Sequence, residues 1–323
     1  MPELAFQKEP DRDLTVFPEG KLPEDAVTQR DLINYLIRMH REQLQSISPT
    51  NEASLANYKR IIQPAWMRTM QLKWPPDSVR AMVKSSVKKA GYTAEELEMP
   101  RPGQNETIPL VHFAPLRSGS ARNLTVVVLA HEEGKAHFVD NAGNPAGLAW
   151  QFLDQGFDVT FAAAASGAAN PDQTSILFTC YNRTRVQEQV RDLVAICEGI
   201  RQLHFNRCRV VLVGSSRAGI WSLLAAPAAD AVIADCRLVD VADDQTLLTP
   251  DLFCPGIRNI DTFSGAPIMA APHPLVLFNV AQGFPTSSLR ASYKVLSAEK
   301  NFRVVSGPLN DHEIVASVLA LGN

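Results

Sequence analysis

From about Tyr92 onward, short apolar runs alternate with amphipathic helical stretches, and few folds are open to a chain patterned in this way. The runs fall at 108–113, 124–130, 159–165, 209–214, 231–236, 274–280 and 302–306. Several are apolar throughout, the mark of strands covered on both faces. Helical spacing fills the intervals at about 146–155, 186–203, 218–229 and 313–321. Strand and helix in turn predict an α/β chain, a mostly parallel sheet with helices on both faces. No repeat of about 20 to 50 residues is visible, which excludes solenoids and propellers.

The part before this pattern reads differently. Residues 1 to about 24 form an irregular lead-in rich in Pro and acidic residues, followed by helical spacing at 25–46 and 52–72. A short helix is expected at 80–88, set off by the Pro75-Pro76 pair. The expected division is a lead-in with a helical extension over 1–90, packed on a core domain over 91–323. A length of 323 residues with 46% hydrophobic content supports one large core with such an extension.

Charge narrows the function classes. The 31 basic and 34 acidic residues are dispersed, so no basic stripe advertises nucleic acid or a lipid surface. No stretch reaches the roughly eighteen apolar residues that span a bilayer, and the start lacks a signal-peptide core, so a soluble chain is expected. A removed leader or upstream domain would still allow secretion or a periplasmic location. The five cysteines, Cys180, Cys197, Cys208, Cys236 and Cys254, show no CxxC spacing and are expected to be buried free thiols. The Asn-X-Thr sequons at Asn105, Asn123 and Asn182 occur at a rate chance allows.

The chemistry centres on Val213-Gly214-Ser215-Ser216-Arg217-Ala218-Gly219. It fits G-x-S-x-G with Ala in the last place, a pattern that chance supplies in about one chain in five of this length. Its context is more specific, because it directly follows an apolar strand run and directly precedes Ile220-Trp221-Ser222-Leu223-Leu224. That is the strand, sharp turn and helix of a nucleophile elbow, in which small neighbours let the two backbones approach. Ser216 is the expected nucleophile, with Ser215 as its competitor. A Ser-rich loop of a phosphate-binding fold is the bland alternative.

A serine hydroxyl needs a base. Among seven histidines only His312 follows the last expected strand and precedes the last helix, where the chain order Ser, acid, His ends. His131 stands at a strand end before the serine and is read as lining or bracing a loop. The acid is less sharply marked, since Asn279-Val280-Ala281-Gln282-Gly283 holds no carboxylate after the penultimate strand. Asp240, Asp243 and Asp244 follow the strand before that; Asp240 is the first choice, and one of the others is a candidate cap at Gln245. Oxyanion donors are expected from the backbone N–H of Arg217 and of Glu132, the latter in His131-Glu132-Glu133-Gly134-Lys135. The Arg217 side chain could add a third donor or hold an anionic substrate group. No cofactor and no metal is expected.

The block Gly214-Ser215-Ser216-Arg217-Ala218-Gly219 resembles the G-C-S-R-x-G elbow of glucuronoyl esterases, and the wider chain resembles bacterial acetyl xylan esterase-like α/β hydrolases. Phe178-Thr179-Cys180-Tyr181-Asn182-Arg183-Thr184 and Phe253-Cys254-Pro255-Gly256-Ile257-Arg258 add to the resemblance, which covers roughly residues 100 to 320. It implies an α/β-hydrolase fold and a serine carbohydrate esterase, with the arginine after the nucleophile sharing in oxyanion stabilisation and the acid after strand six. Ser215 stands where the family has Cys, and Gly219-Ile220 stands where Gly-Lys is common, so the lysine expected on a sugar hydroxyl is missing. Related chains can be the second half of a two-domain protein, which would make the lead-in a former linker. The expected partner is a small ester or acylated saccharide, with a uronic acid ester or a non-catalytic binding module as alternatives. Loops at 165–179 and 246–264 are the longest candidates for shaping specificity.

Overall fold

The computed structural model describes residues 8–17, 21–75, 79–101, 105–116, 124–163, 175 and 177–321. The Asn123 sequon, the end of the expected strand 159–165 and most of the loop 165–179 lie outside them. Contacts divide the chain into Met1–Ser46 and Ile47–Asn323. The first unit holds α1 (Gln29–Ser46), which buries no residue. In the second, nine strands form one sheet in the order β1-β2-β3-β5-β4-β6-β7-β8-β9. They are β1 (Met82–Lys88), β2 (Tyr92–Pro100), β3 (Thr107–Pro115), β4 (Leu124–Ala130), β5 (Asp158–Ala162), β6 (Cys208–Gly214), β7 (Ala231–Asp235), β8 (Leu275–Phe278) and β9 (Phe302–Val304).

From β5 through β4, β6, β7 and β8 to β9 every pairing is parallel, and the β1-β2-β3-β5 edge is antiparallel. The carboxyl ends of the parallel strands therefore share one edge. There the chain leaves β4 toward His131 and β6 toward Ser216, and β4 and β6 are neighbours although β5 lies between them in sequence. Such a reversal of strand order opens a crevice between the outgoing loops, which is where α/β sheets bind ligands.

Helices cover both faces, because the strands bury side chains on both. On one face α4 (Gly147–Asp154) and α11 (Asp311–Ala320) pack Leu148, Phe152, Ile314, Val315 and Val318 against Val127, Val211 and Ile233. The other face carries α2 (Glu52–Thr69), α6 (Arg185–Leu203), α7 (Arg217–Leu224) and α9 (Gly265–Ala270), and α6 buries Val190, Val194, Cys197 and Ile200 along one stripe. The other helices are α3 (Lys135–Phe138), α5 (Phe178–Tyr181), α8 (Asp244–Leu247) and α10 (Thr286–Val295). This is the α/β architecture expected from the alternating runs.

Two expectations change. The segment 80–88 is strand β1, not a helix: Gly91, at φ 91°, turns the chain into β2, and Lys84–Glu98 (2.7 Å), Ser85–Glu96 and Ser86–Glu95 pair across the ladder. The expected boundary near residue 90 thus lies in the turn between β1 and β2. Among the cysteines, Cys197, Cys236 and Cys254 are buried free thiols and Cys208 is half-buried, whereas Cys180 is exposed because its short helix α5 buries nothing.

Candidate active site

Ser216 caps the N-terminus of α7 with φ 52° and ψ −135°, a backbone region that nearly only glycine enters without strain. The surrounding residues hold it there. A side chain at Gly219 would collide with the Asp235 carbonyl oxygen, and a Cβ at Gly214 would stand 2.6 Å from the Ala218 carbonyl oxygen. The glycine at 214 lets β6 and α7 fold back on each other, as the elbow motif requires, and the one at 219 lets α7 close on the end of β7. Ser215 donates from its backbone N–H to the Ala130 carbonyl at 3.1 Å, and its hydroxyl points to the same atom at 3.4 Å. The Ser216 hydroxyl points elsewhere, and donates to Glu132 Oε1 at 2.8 Å.

Glu132 thus enters the site through its side chain as well as its position. Its other oxygen, Oε2, accepts the Arg217 backbone N–H at 3.1 Å. Burial works to raise this carboxyl, but hydrogen bonds from Ser216, from its own backbone N–H and from Arg217, together with the nearby His131, outweigh burial and hold it below the usual carboxylate range. The two backbone donors expected to face an oxyanion both face this carboxylate.

The Arg217 guanidinium is engaged on the other side. Its Nε lies 3.1 Å from Asp251 Oδ2 and its Nη1 donates to Oδ1 at 3.1 Å. Arg185 reaches the same carboxylate at 3.3 Å and lies over the Trp221 ring, whose indole N–H faces the Asp251 carbonyl at 3.4 Å. The cation beside the nucleophile is therefore held by a carboxylate from the 246–264 loop, which it shares with Arg185.

His312 is the second residue of α11 and is exposed, and its imidazole makes no hydrogen bond among the described residues. Asp240 is exposed and accepts the Ala242 N–H at 2.9 Å. A Cβ at Gly283 would stand 3.4 Å from its Oδ1, so Asp240 lies against the loop that follows β8, the place left without a carboxylate in the sequence. The three outgoing loops are stitched together by Leu238 N–H to the Asn279 carbonyl and Asn279 N–H to the Gly307 carbonyl, each at 2.8 Å. Ser216, Asp240 and His312 thus follow strands of one sheet edge without a hydrogen-bonded relay between them. Asp243 caps α8 through Gln245 and Thr246, and Asp244 pairs with Arg258.

Asp235, the last residue of β7, escaped the sequence reading. Its Oδ2 accepts the Ser216 backbone N–H at 3.2 Å, while Oδ1 accepts Asn279 Nδ2 at 3.0 Å and the Arg237 N–H at 2.8 Å. It braces the elbow from below. Its place at the end of an apolar run is readable in the sequence, but the pairing of that run with the nucleophile strand is not.

His131 stacks on His137 with ring centroids 3.6 Å apart and 6° between planes, and accepts the Glu133 N–H on Nδ1 at 3.1 Å. Burial and the neighbouring His137 push His131 below the ordinary histidine value, against the pull of Glu132 and Glu133. His131, Glu133 and His137 bring donor atoms within 4.8 Å of one another, but stacked rings aim their lone pairs side by side instead of at one point. His112, Asp158 and His204 do the same around the start of β5, remote from the edge that carries Ser216. Beside the elbow, Ala130, His131, Phe161, Gln189, Ala218 and Trp221 line a small cleft open to solvent.

No protein-family model matches this chain, and no curated protein matches it in sequence. Solved structures do. One is a Bacteroides fragilis protein with a provisional assignment as an acetyl xylan esterase, at TM-score 0.57 and 13% identity over 90% of this chain and 84% of that one. Another is a glucuronoyl esterase from Solibacter usitatus, at TM-score 0.55 and 10% identity over 85% and 94% of the two chains. A second glucuronoyl esterase structure from the same source gives 0.53 and 11% over 85% and 95%. At these identities the likeness establishes the fold alone, the α/β-hydrolase fold.

Proposed function

We propose that the chain is a serine carboxylic ester hydrolase that works through an acyl-enzyme. One observation carries the reading: Ser216 holds the strained elbow conformation at the head of α7, with the Arg217 N–H aimed at an anion beside its hydroxyl. A resting hydroxyl is not nucleophilic, and backbone strain of about 1 to 3 kcal/mol persists only where surrounding structure enforces it. In the proposed reaction Ser216 attacks the ester carbonyl, and His312 takes its proton and returns it to the leaving alcohol. Asp240 orients the imidazole, and the oxyanion rests on the N–H groups of Arg217 and Glu132. Water then attacks the acyl-enzyme with His312 again as base. The reading needs no cofactor and no metal.

The substrate class we propose is an acylated saccharide, acetylated xylan or its oligomers first, with small acyl esters as surrogates. It is supported by the likeness of fold to esterases of that kind and by Gly219-Ile220 standing where glucuronoyl esterases commonly have Gly-Lys. The test is acetate release from acetylated xylan oligomers by the wild type and by Ser216→Ala. Loss of more than about a thousandfold in the variant supports the reading. Cleavage of a methyl glucuronate ester without acetate release would move the substrate to uronic acid esters. Background rates in both proteins would favour a binding module of hydrolase form.

A further inference from the structure

A carboxylate is the shape of the acid that an esterase releases, with one oxygen where the carbonyl oxygen sat and one at the nucleophile. Glu132 presents that shape from within the chain. Oε1 receives the Ser216 hydroxyl at 2.8 Å and Oε2 receives the Arg217 N–H at 3.1 Å, with the backbone N–H of Glu132 itself adding to the set. We infer that Glu132 is a built-in competitor of the substrate, a specificity-determining side chain that fills the oxyanion hole at rest and must be displaced before an ester can react. The inference rests on the hydrolase reading above.

Glu132 is badly placed to be the base itself. A carboxylate that takes the serine proton while it holds the Arg217 N–H leaves that donor unavailable to the carbonyl oxygen. Its negative charge would also stand where negative charge develops in the tetrahedral intermediate, which opposes the reaction. Departure of the side chain resolves both conflicts, and frees the Ser216 hydroxyl for His312.

The charges around Glu132 keep it in place. His131 Nε2 is 3.7 Å from Oε2, but burial and the stacked His137 disfavour the charged imidazole. Glu133 lies beside His131 and His137 and draws on the same two rings. The Arg217 guanidinium is held by Asp251 at 3.1 Å, and Asp235 below the elbow takes the Ser216 N–H. Among the described residues no lysine or arginine side chain pairs with the Glu132 carboxylate, so the substrate must supply the displacing free energy. A ligand with contacts remote from the ester does so readily, and a small ester with few such contacts does so less well. The device selects acylated saccharides over simple acyl esters.

The experiment compares wild type, Glu132→Ala, Glu132→Gln and Ser216→Ala in three readouts. These are the second-order rate of labelling by a fluorophosphonate, kcat/KM on p-nitrophenyl acetate, and kcat/KM on acetylated xylo-oligosaccharides. Glu132→Ala should raise labelling and small-ester turnover by about tenfold or more, the worth of a charged hydrogen-bond contact, and raise the oligosaccharide value less. Glu132→Gln, which keeps an acceptor without the charge, should fall between. Equal rates in wild type and Glu132→Ala would overturn the inference, and a fall of about a hundredfold would make Glu132 the base. If no protein labels more than Ser216→Ala does, it is the hydrolase reading that has failed. Thermal unfolding of each variant checks that the fold is kept.

Discussion

At the scale of the residue, the elbow trades stability for reactivity, and that trade can be measured. Ser216→Ala and Ser216→Gly both remove the hydroxyl and its bond to Glu132, but only alanine keeps a Cβ at φ 52° and ψ −135°. Ser216→Gly should therefore be the more stable of the two inactive variants by about 1 kcal/mol or more, read from midpoints of denaturant unfolding. Equal stabilities would mean that the turn is relaxed and the strain argument wrong. The strain was legible in the sequence because Gly214, Ala218 and Gly219 are small for a reason that the strand and helix around them make clear. The contact between Ser216 and Glu132 was not legible. The position of Glu132 after β4 could be read from the apolar run, but the direction of a side chain on a three-dimensional loop could not. Asp235 was missed for a related cause: its bond to the Ser216 N–H depends on how β7 lies beside β6, and no local pattern encodes that.

At the scale of the element, the segment from His131 through α3 is one packed unit whose parts titrate. His131 and His137 stack at 3.6 Å and Phe138 beneath them is buried, so a proton on His131 must be accommodated against a parallel ring. The folded protein holds His131 below its ordinary value, so neutral His131 contributes stability above about pH 6.5, and that contribution is lost as pH falls through the lowered value. The depressed carboxyl of Glu132 acts in the same direction in a lower window, below the usual carboxylate range. Thermal stability should fall on acidification from about pH 6.5, and His131→Asn should flatten the upper part of that slope. A slope unchanged by the substitution would place the titration elsewhere. Elements with a clear period were read well: α6 at Arg185–Leu203 and β6 at Cys208–Gly214 stand where the spacing put them, within a residue. Strand β1 was not, because every one of its residues is exposed and an edge strand of this kind carries no buried face for a period to mark.

At the scale of the whole molecule, the second unit is closed around its own core by α2, and this sets what can be removed. Trp66 is fully buried and donates its indole N–H to the Leu224 carbonyl at 2.9 Å, which satisfies the last turn of the elbow helix. Tyr58 donates to Asp261, and Lys59 reaches the Ala271 carbonyl at 2.6 Å, so α2 is tied to both ends of the segment that carries α9. Burial pushes the Tyr58 hydroxyl up and, beside it, the Asp261 carboxyl up as well, the pattern of a buried hydrogen-bonded pair. Deletion of residues 1–46 removes a unit whose helix buries nothing, and the remaining chain should unfold within about 1 to 2 °C of the full chain and keep its elbow reactivity. Deletion through residue 72 removes α2 with Trp66, Tyr58 and Ile62, and should leave a chain without a cooperative thermal transition. Trp66→Ala lies between the two, with an expected loss of about 3 to 5 kcal/mol because a large cavity opens under an unsatisfied carbonyl. If the shorter deletion also abolished the transition, Met1–Ser46 would be part of the folded core, and the sequence-based grouping of the lead-in with both helices would be the better description. If the longer deletion still melted cooperatively, α2 would be an appendage, and the anchoring of α7 through Trp66 would have no energetic weight.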